Sequence, residues 1–351
     1  MAEAANPGAT LVAPVHAFDT AALAAYLRAE VGDEAARLTV EQFQGGQSNP
    51  TYRVATADRR YILRRKPPGQ LLPSAHAIER EYRVMSALDG TEVPVAKMIA
   101  LCEDAAVIGT PFYLMEYVEG RVLWDPTLPG MTPGDRAAHY DELNRVLAAL
   151  HAVDYTAIGL SDFGKPGQYI ARQVARWSKQ YQAGTAASIP AMDGLIEWLP
   201  RRLPDGDETS IVHGDFRLDN VIFHPTEARV LAVLDWELAT LGHPLSDFAY
   251  QVMAWRLSPK EFRGLKGFDL APLGIPSEPE YIDRYCQRTG RSGIPHFEFY
   301  MVFNMFRIGA ILHGVLSRAL QGNAASANAI EQGARARLVA DVAWRMAQEI
   351  G

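Results

Sequence analysis

Only two cysteines, Cys102 and Cys286, occur among the 351 residues of this chain, and they lie far apart. Two isolated cysteines exclude a disulfide framework and every zinc site that is built from closely spaced cysteine pairs. Residues 1–20 hold no basic segment followed by an apolar stretch, so we expect no secretory signal. These absences predict a protein of a reducing compartment, the cytoplasm.

Long apolar runs and an excess of positive charge are missing as well. No stretch of about eighteen apolar residues is present, so we expect no membrane span. The net charge of −7 does not favour nucleic acid or an anionic membrane as a partner. With 48% hydrophobic and 21% charged residues the composition is that of a globular protein, and the length suits two lobes or domains.

The most informative segment of the chain begins at His213. Asp215 stands five residues before Asn220, and Asp235 follows after a short apolar run. The spacing H-x-D-x-x-x-x-N is that of the kinase catalytic loop, with glycine in place of the protein-kinase arginine. Phosphoryl transfer needs a carboxylate that positions the acceptor hydroxyl, and it needs oxygen ligands for Mg²⁺. The motif therefore predicts a phosphotransferase.

Periodicity divides the chain into a strand-rich part and a helical part. The first part is predicted to contain a hairpin, a strand, a helix and two further strands, at 43–54, 61–64, 75–88, 99–102 and 111–118. After Gly120 the apolar residues recur mainly at helical spacing. We predict a leader and helix at 1–40, a nucleotide-binding N-lobe at 41–118 and a catalytic, acceptor-binding C-lobe at 119–351.

Several motifs together resemble those of a known superfamily. They are Gly-Gly-Gln-Ser-Asn-Pro at 45–50, Leu-Arg-Arg-Lys-Pro at 63–67, Glu-Arg-Glu-Tyr at 79–82, Pro-Phe-Tyr-Leu-Met-Glu at 111–116 and the segment 213–237. The chain resembles the aminoglycoside phosphotransferase and choline kinase-like superfamily. More narrowly, it is similar to the phosphotransferase module fused to, or encoded beside, acyl-CoA dehydrogenases.

This resemblance implies a fold and a reaction. The fold class is α+β, a bilobal protein-kinase-like fold with a small β-rich N-lobe and a larger, mainly helical C-lobe. The cofactors are ATP and Mg²⁺, and the partner is a small-molecule substrate, with a functional link to an acyl-CoA dehydrogenase. The reaction is transfer of the γ-phosphoryl group to a hydroxyl.

The resemblance also implies roles for the residues of the motif. Asp215 is the catalytic base or the group that positions the acceptor hydroxyl, and Asn220 and Asp235 are the Mg²⁺ ligands. Glu237 is either a further metal ligand or a carboxylate at a helix start. Arg217 either offsets charge on the moving phosphoryl group or pairs with a nearby carboxylate. His213 is expected to order the loop, and Asp247 to bond back to it.

A second set of residues is expected to bind the nucleotide. Gly45, Gly46, Ser48 and Asn49 would cover the phosphates, although an ordinary hairpin turn is an alternative. Arg64 occupies the slot where many kinases have lysine, and Glu81 on the next helix would hold it. Arg65 or Lys66 would replace Arg64, and Glu79 would replace Glu81, if the register differs. Met115 would line the adenine pocket, and the backbones of Glu116 and Val118 would meet the base.

The acceptor is less well specified by the sequence. Arg172 and Arg176, with Lys179, recur on one helix face, which is either a basic wall or a solvated surface. Arg307 stands on an apolar helix, where a guanidinium needs a partner. No acidic cluster suited to a polycation is evident, so an anionic or neutral hydroxylated acceptor is favoured. The resemblance points to a hydroxyacyl-CoA or a related hydroxy acid.

Other functions remain as alternatives. They are an aminoglycoside-type antibiotic phosphotransferase and a nucleotide-binding pseudokinase or interaction module. The intact Asp215, Asn220 and Asp235 argue against the pseudokinase. A protein kinase is disfavoured because the chain lacks an Ala-Pro-Glu element, and a binuclear metallohydrolase because it lacks metal-spaced histidines.

Overall fold

The computed structural model describes residues 9–33, 37–43, 49–67, 76–321 and 328–350. The chain forms two compact units. The first consists of Met1–Val122 and Asp219–Ala239, and the second of Leu123–Leu218 and Thr240–Gly351. The N-lobe and C-lobe limits given above stay a prediction, and the first unit also takes in the segment that carries Asn220 and Asp235.

An antiparallel sheet of five strands, in the order β1-β2-β3-β5-β4, forms the centre of the first unit. The strands are β1 (Thr39–Gln42), β2 (Thr51–Ala55), β3 (Arg60–Arg65), β4 (Met98–Cys102) and β5 (Phe112–Glu116). Alternate residues of β2, Tyr52 and Val54, are buried because successive side chains of a strand face opposite sides. Helix α1 (Thr20–Tyr26) adds Leu23 to this core.

One helix and one β-ribbon complete the first unit. Helix α2 (Ile78–Leu88) packs against β4, β5 and the turn Trp236–Leu238. The ribbon pairs β7 (Val221–Phe223) with β8 (Val230–Val233). Arg121 and Phe223 exchange two backbone hydrogen bonds of 2.8 Å, which fasten the ribbon to the rest of the unit.

Helices make up most of the second unit. They are α3 (Pro133–Ala152), α4 (Tyr169–Gln182), α5 (Pro190–Trp198), α6 (Pro244–Arg256), α7 (Pro259–Phe262), α8 (Leu270–Leu273), α9 (Glu278–Thr289), α10 (Phe297–Leu320) and α11 (Ala329–Ile350). Helix α3 begins with a capping box between Thr132 and Asp135. Helix α10 is apolar and long enough to cross a membrane, but 83% of its most apolar window is buried within the protein, as in a core helix.

Two short strands and helix α6 hold the motif segment in this unit. Strand β6 (Ser210–Val212) pairs with β9 (Thr240–Gly242), and α6 starts directly after β9. Neither α6 nor α9 was predicted from the sequence. Helix α6 is buried on nearly all sides, so it lacks the amphipathic period that marks a surface helix.

Gly120 is the point at which a side chain would disturb the first unit most directly. A Cβ there would overlap the carbonyl oxygen of Phe223 and the side chain of Ile222 in β7. We expect Gly120→Ala to lower the free energy of unfolding by about 1–3 kcal/mol, the usual cost of overpacking. Thermal denaturation measures the effect.

Gly293→Ala is the matched control, because a Cβ at Gly293 has nothing within 4 Å. Equal melting temperatures for the two variants would contradict the close contact at Gly120.

Candidate active site

A cluster of charged side chains lies in the first unit, between β3, α2 and the turn after β8; Arg64 and Glu81 are buried, and Asp235 and Glu237 are partly exposed. The Arg64 Nε atom lies 2.9 Å from Glu81 Oε2, which confirms the predicted pairing of these residues. The other end of the guanidinium reaches Asp235 Oδ1 at 3.0 Å and Glu237 Oε2 at 3.7 Å. One planar cation therefore joins three carboxylates, which a lysine ammonium could not bridge with the same geometry.

Glu81 is held by two further donors. Tyr113 donates its hydroxyl proton to Oε2 at 3.0 Å, and Asn49 donates its amide to Oε1 at 2.9 Å. Burial raises the pKa of Glu81 above its usual value, although Arg64 and these hydrogen bonds act to lower it. Burial also opposes the charge of Arg64, but Glu81 and the other carboxylates outweigh it and raise the arginine pKa.

The register of β3 decides between the three basic candidates at its end. Arg65 faces the opposite side of the sheet, where it donates to Tyr52 and to the backbone carbonyls of Ile108 and His16. Lys66 pairs with Glu79 at 3.0 Å. Arg64 alone of the three contacts the residues expected to bind metal, so the structure favours the Arg64–Glu81 register.

The β7–β8 ribbon brings the two expected metal ligands to one end. Asn220 ends the short turn Leu218–Asn220 before β7, and its carbonyl accepts a 2.8 Å hydrogen bond from the backbone N–H of Leu234. Asp235 follows directly, in a left-handed conformation with φ of 62°. A non-glycine residue in that region carries strain, and such residues concentrate at functional sites.

The charges of this cluster suit a cation. Three carboxylates, those of Glu81, Asp235 and Glu237, face the guanidinium of Arg64. No group of three or more His, Cys, Asp or Glu side chains able to hold a metal was found in the described parts of the chain. Mg²⁺ needs no such cage, because it binds through one or two protein oxygens together with substrate phosphates. Asn220 and Asp235 fit that role.

The expected adenine contacts lie where β5 ends. Met115 is buried and Glu116 is exposed at the last position of the strand. Within the described part of the chain, the backbone N–H of Val118 has no hydrogen-bond partner, so it can serve a ligand. Gly45, Gly46 and Ser48 lie outside the described residues. Asn49 is described, and its side chain is fully buried against Glu81.

The second unit contains the loop that carries the expected catalytic base. Asp247 of α6 accepts hydrogen bonds from the backbone N–H groups of His213 at 2.7 Å and Gly214 at 2.8 Å. His151 of α3 lies 3.3 Å from the same carboxylate. Burial acts to raise the pKa of Asp247, but the hydrogen bonds and charges of His151 and His213 outweigh it and hold that pKa below its usual value.

The rest of the loop is ordered by its own residues. His213 Nδ1 accepts a 3.1 Å hydrogen bond from the backbone N–H of Asp215, so the histidine orders the loop as predicted. Arg217 Nε lies 3.4 Å from Asp215 Oδ1. The Asp215 side chain remains 19% exposed, which leaves it accessible to a substrate.

Two residues from other helices reach this loop. Tyr250 of α6 donates its hydroxyl proton to Asp215 Oδ1, and Arg307 of α10 donates to the carbonyl oxygen of Gly214. The Arg307 guanidinium lies 5.3 Å from the ring centre of Tyr250 and 5.8 Å from that of Trp177. Arg307 thus has the partners that its burial requires.

The basic residues of α4 lie differently. Arg172 donates to the backbone carbonyls of Lys165 and Gly167, at the loop before its own helix. Arg176 is exposed, with its guanidinium 5.4 Å from the centre of the Trp177 ring. Of the three arginines proposed to bind the acceptor, Arg307 is therefore the one that contacts the loop of Asp215.

Two members of the site, Tyr250 and His151, were not predicted from the sequence. Tyr250 stands three residues after Asp247, and residues at that spacing share one face of a helix. Pro244 after a histidine cap would have marked the start of that helix. No local pattern distinguishes His151, because its partners Asp247 and Tyr285 come from distant segments.

Comparison with known proteins identifies the family of this chain. The model of the phosphotransferase enzyme family matches residues 39–300. Acyl-CoA dehydrogenase family member 10 of Mus musculus is 51% identical over 334 residues, which are 94% of this chain and 31% of the mouse protein. The chain thus spans about a third of the length of that relative.

Solved structures that are similar to this chain point to the same kind of protein. A crystal structure from Ralstonia eutropha JMP134, assigned to the aminoglycoside phosphotransferases, is 56% identical with a TM-score of 0.87, covering 95% of this chain and 99% of that one. Aminoglycoside phosphotransferase APH(4)-Ia, solved with AMP-PNP and hygromycin B, is 19% identical with a TM-score of 0.61, covering 93% and 98%. The latter likeness concerns the fold, which is the predicted kinase-like class. The chain belongs to the phosphotransferase enzyme family.

Proposed function

We propose that this phosphotransferase moves the γ-phosphoryl group of ATP to a hydroxyl of a metabolite, a hydroxyacyl-CoA or a related hydroxy acid. The observation that carries the proposal is the joining of Arg64 to both Glu81 and Asp235. In kinases the pairing of the β3 cation with a helix glutamate, together with a metal-binding aspartate, defines a competent phosphate site. The structural relative APH(4)-Ia was solved in complex with AMP-PNP, which supports the same assignment.

The residues of this chain divide the work of the reaction. Arg64 offsets the charge of the nucleotide phosphates while Glu81 holds it in place. Asn220 and Asp235 would hold Mg²⁺, which supplies charge neutralisation on the phosphates when it is bound. The backbone of Glu116 and Val118 meets the base, and Met115 lines its pocket. Positioning and electrostatics supply most of the rate in such transfers.

Asp215 acts on the acceptor. Its carboxylate accepts a hydrogen bond from the acceptor hydroxyl and takes the proton as the oxygen attacks the γ-phosphorus. The oxygen–phosphorus bond to the acceptor forms as the bond to the leaving ADP oxygen breaks. Arg217, 3.4 Å from Asp215, is placed to offset charge on the moving phosphoryl group.

The surroundings of Asp215 in the second unit support an anionic acceptor. Arg217 and Arg307 both lie at the loop of Asp215, and the carboxylate of Asp247 is occupied by its hydrogen bonds to that loop. Such surroundings suit a carboxylate or a phosphate better than a polycation. The mouse relative is named as an acyl-CoA dehydrogenase, which supports an acyl-CoA acceptor and a functional link to that enzyme class. A phosphorylated hydroxyl would become a leaving group for later elimination.

Asp215→Asn tests the role of the base. The amide keeps the size of the side chain but cannot take a proton, so we expect turnover to fall at least about 10²-fold. ATP binding, measured by isothermal titration calorimetry, should persist. Full turnover in this variant would reject the role of Asp215, whereas loss of ATP binding would show a misfolded loop.

Arg64→Met tests the charge cluster. It leaves Glu81 buried without its counter-ion, so we expect the free energy of unfolding at pH 8 to fall by about 3–5 kcal/mol and ATP binding to weaken. Burial raises the pKa of Glu81, so protonation favours the folded state and the contribution of Glu81 to stability is lost as pH rises. The defect should therefore shrink towards pH 5 in urea unfolding experiments.

Arg60→Met provides the matched control on the same strand. Arg60 pairs with Glu119 on the surface, where 50% and 68% of the two side chains are exposed. Its replacement by methionine should therefore lower the free energy of unfolding by less than about 1 kcal/mol at either pH. Equal losses for the two variants would show that Arg64 has no special role.

A panel of acceptors tests the substrate class. With radiolabelled ATP, we expect hydroxybutyryl-CoA isomers to be phosphorylated with kcat/KM about 10²-fold above hygromycin B, a difference of about 2.7 kcal/mol in transition-state binding. Free hydroxybutyrate should lie between them. Preference for hygromycin B would establish the antibiotic alternative. Absence of transfer to every acceptor, with ATP bound, would favour the pseudokinase.

A further inference from the structure

We propose that Tyr250 is a positioning residue for Asp215 and sets the orientation of its carboxylate. The Tyr250 hydroxyl donates directly to Asp215 Oδ1. Tyr250 follows Asp247 by one helical turn on α6, so both side chains project from one face of that helix. Asp247 fixes the backbone of His213 and Gly214, and Tyr250 fixes the side chain that follows.

The chemistry of Tyr250 suits a permanent donor. The residue is buried, and burial together with the charge of Asp215 raises the pKa of its phenol above its ordinary value. The hydroxyl therefore keeps its proton through the working range and donates to the carboxylate.

Arg307 of α10 lies over the ring of Tyr250. Its guanidinium lies 5.3 Å from the ring centre and also donates to the Gly214 carbonyl. Helices α6 and α10 thus present one donor each to consecutive residues of the loop. A charge-assisted hydrogen bond from a buried donor restricts rotation of a carboxylate more than an exposed one does. The rotation of Asp215 is set by this pair of helices rather than by the loop alone.

Tyr250→Phe tests this role, which rests on the proposed function for its kinetic consequence. With hydroxybutyryl-CoA as acceptor, we expect kcat to fall about 10- to 100-fold, the effect of losing one hydrogen bond to a charged group. The KM for ATP should stay unchanged. The acidic limb of the kcat profile should move to higher pH, because the ionised carboxylate loses a donor. A role in packing alone would not move that limb.

Tyr140→Phe is the matched control. Tyr140 is also buried in the second unit, and its hydroxyl donates to the carbonyl of Pro126 at 2.5 Å. We expect it to alter stability but not kcat or the pH profile. Equal kcat values for the Tyr250→Phe and Tyr140→Phe variants would overturn the proposal.

A double-mutant cycle tests the contact between Tyr250 and Asp215 and needs no acceptor. Urea unfolding of the wild type, Tyr250→Phe, Asp215→Ala and the double variant gives the coupling between the two side chains. We expect Tyr250→Phe to change the unfolding equilibrium constant about tenfold less when Asp215 is absent. Additive effects would overturn the proposal. Coupling without turnover on any acceptor would uphold the contact and reject the proposed function instead.

Discussion

The carboxylate of Asp247 is the constraint on which the catalytic loop depends. It accepts two backbone hydrogen bonds from consecutive residues of that loop, and 1% of its side chain is exposed. Because both N–H groups point to one carboxylate, the chain must turn tightly there. Gly214 makes this turn possible with its φ of 81°. This anchor fixes the backbone from which the Asp215 side chain projects.

The first unit shows a different way of fixing functional groups. There the constraint is a balance of charges. Arg64 contacts three carboxylates and is buried, so water cannot replace them as its partners. Removing one partner of such a cluster lowers the stability of the protein, because an uncompensated charge stays buried. The residues that would meet the nucleotide phosphates therefore hold one another before any ligand binds.

Much of this site could be predicted because its parts follow local rules. The spacing of Asp215, Asn220 and Asp235 is a sequence pattern, and the pairing of Arg64 with Glu81 follows from strand and helix positions. The alternation of Arg64 and Arg65 across β3 could not be assigned without the register of the sheet. Tyr250 escaped prediction because helix α6 is buried on nearly all sides and shows no polar face.

The left-handed conformation of Asp235 has a consequence for the history of such chains. Glycine would occupy φ of 62° without strain, whereas aspartate stays there at a cost of about 1 kcal/mol. Glycine at this position would relieve that strain but would remove the carboxylate that pairs with Arg64. Among relatives, glycine at the equivalent position would therefore mark chains that have given up this ion pair.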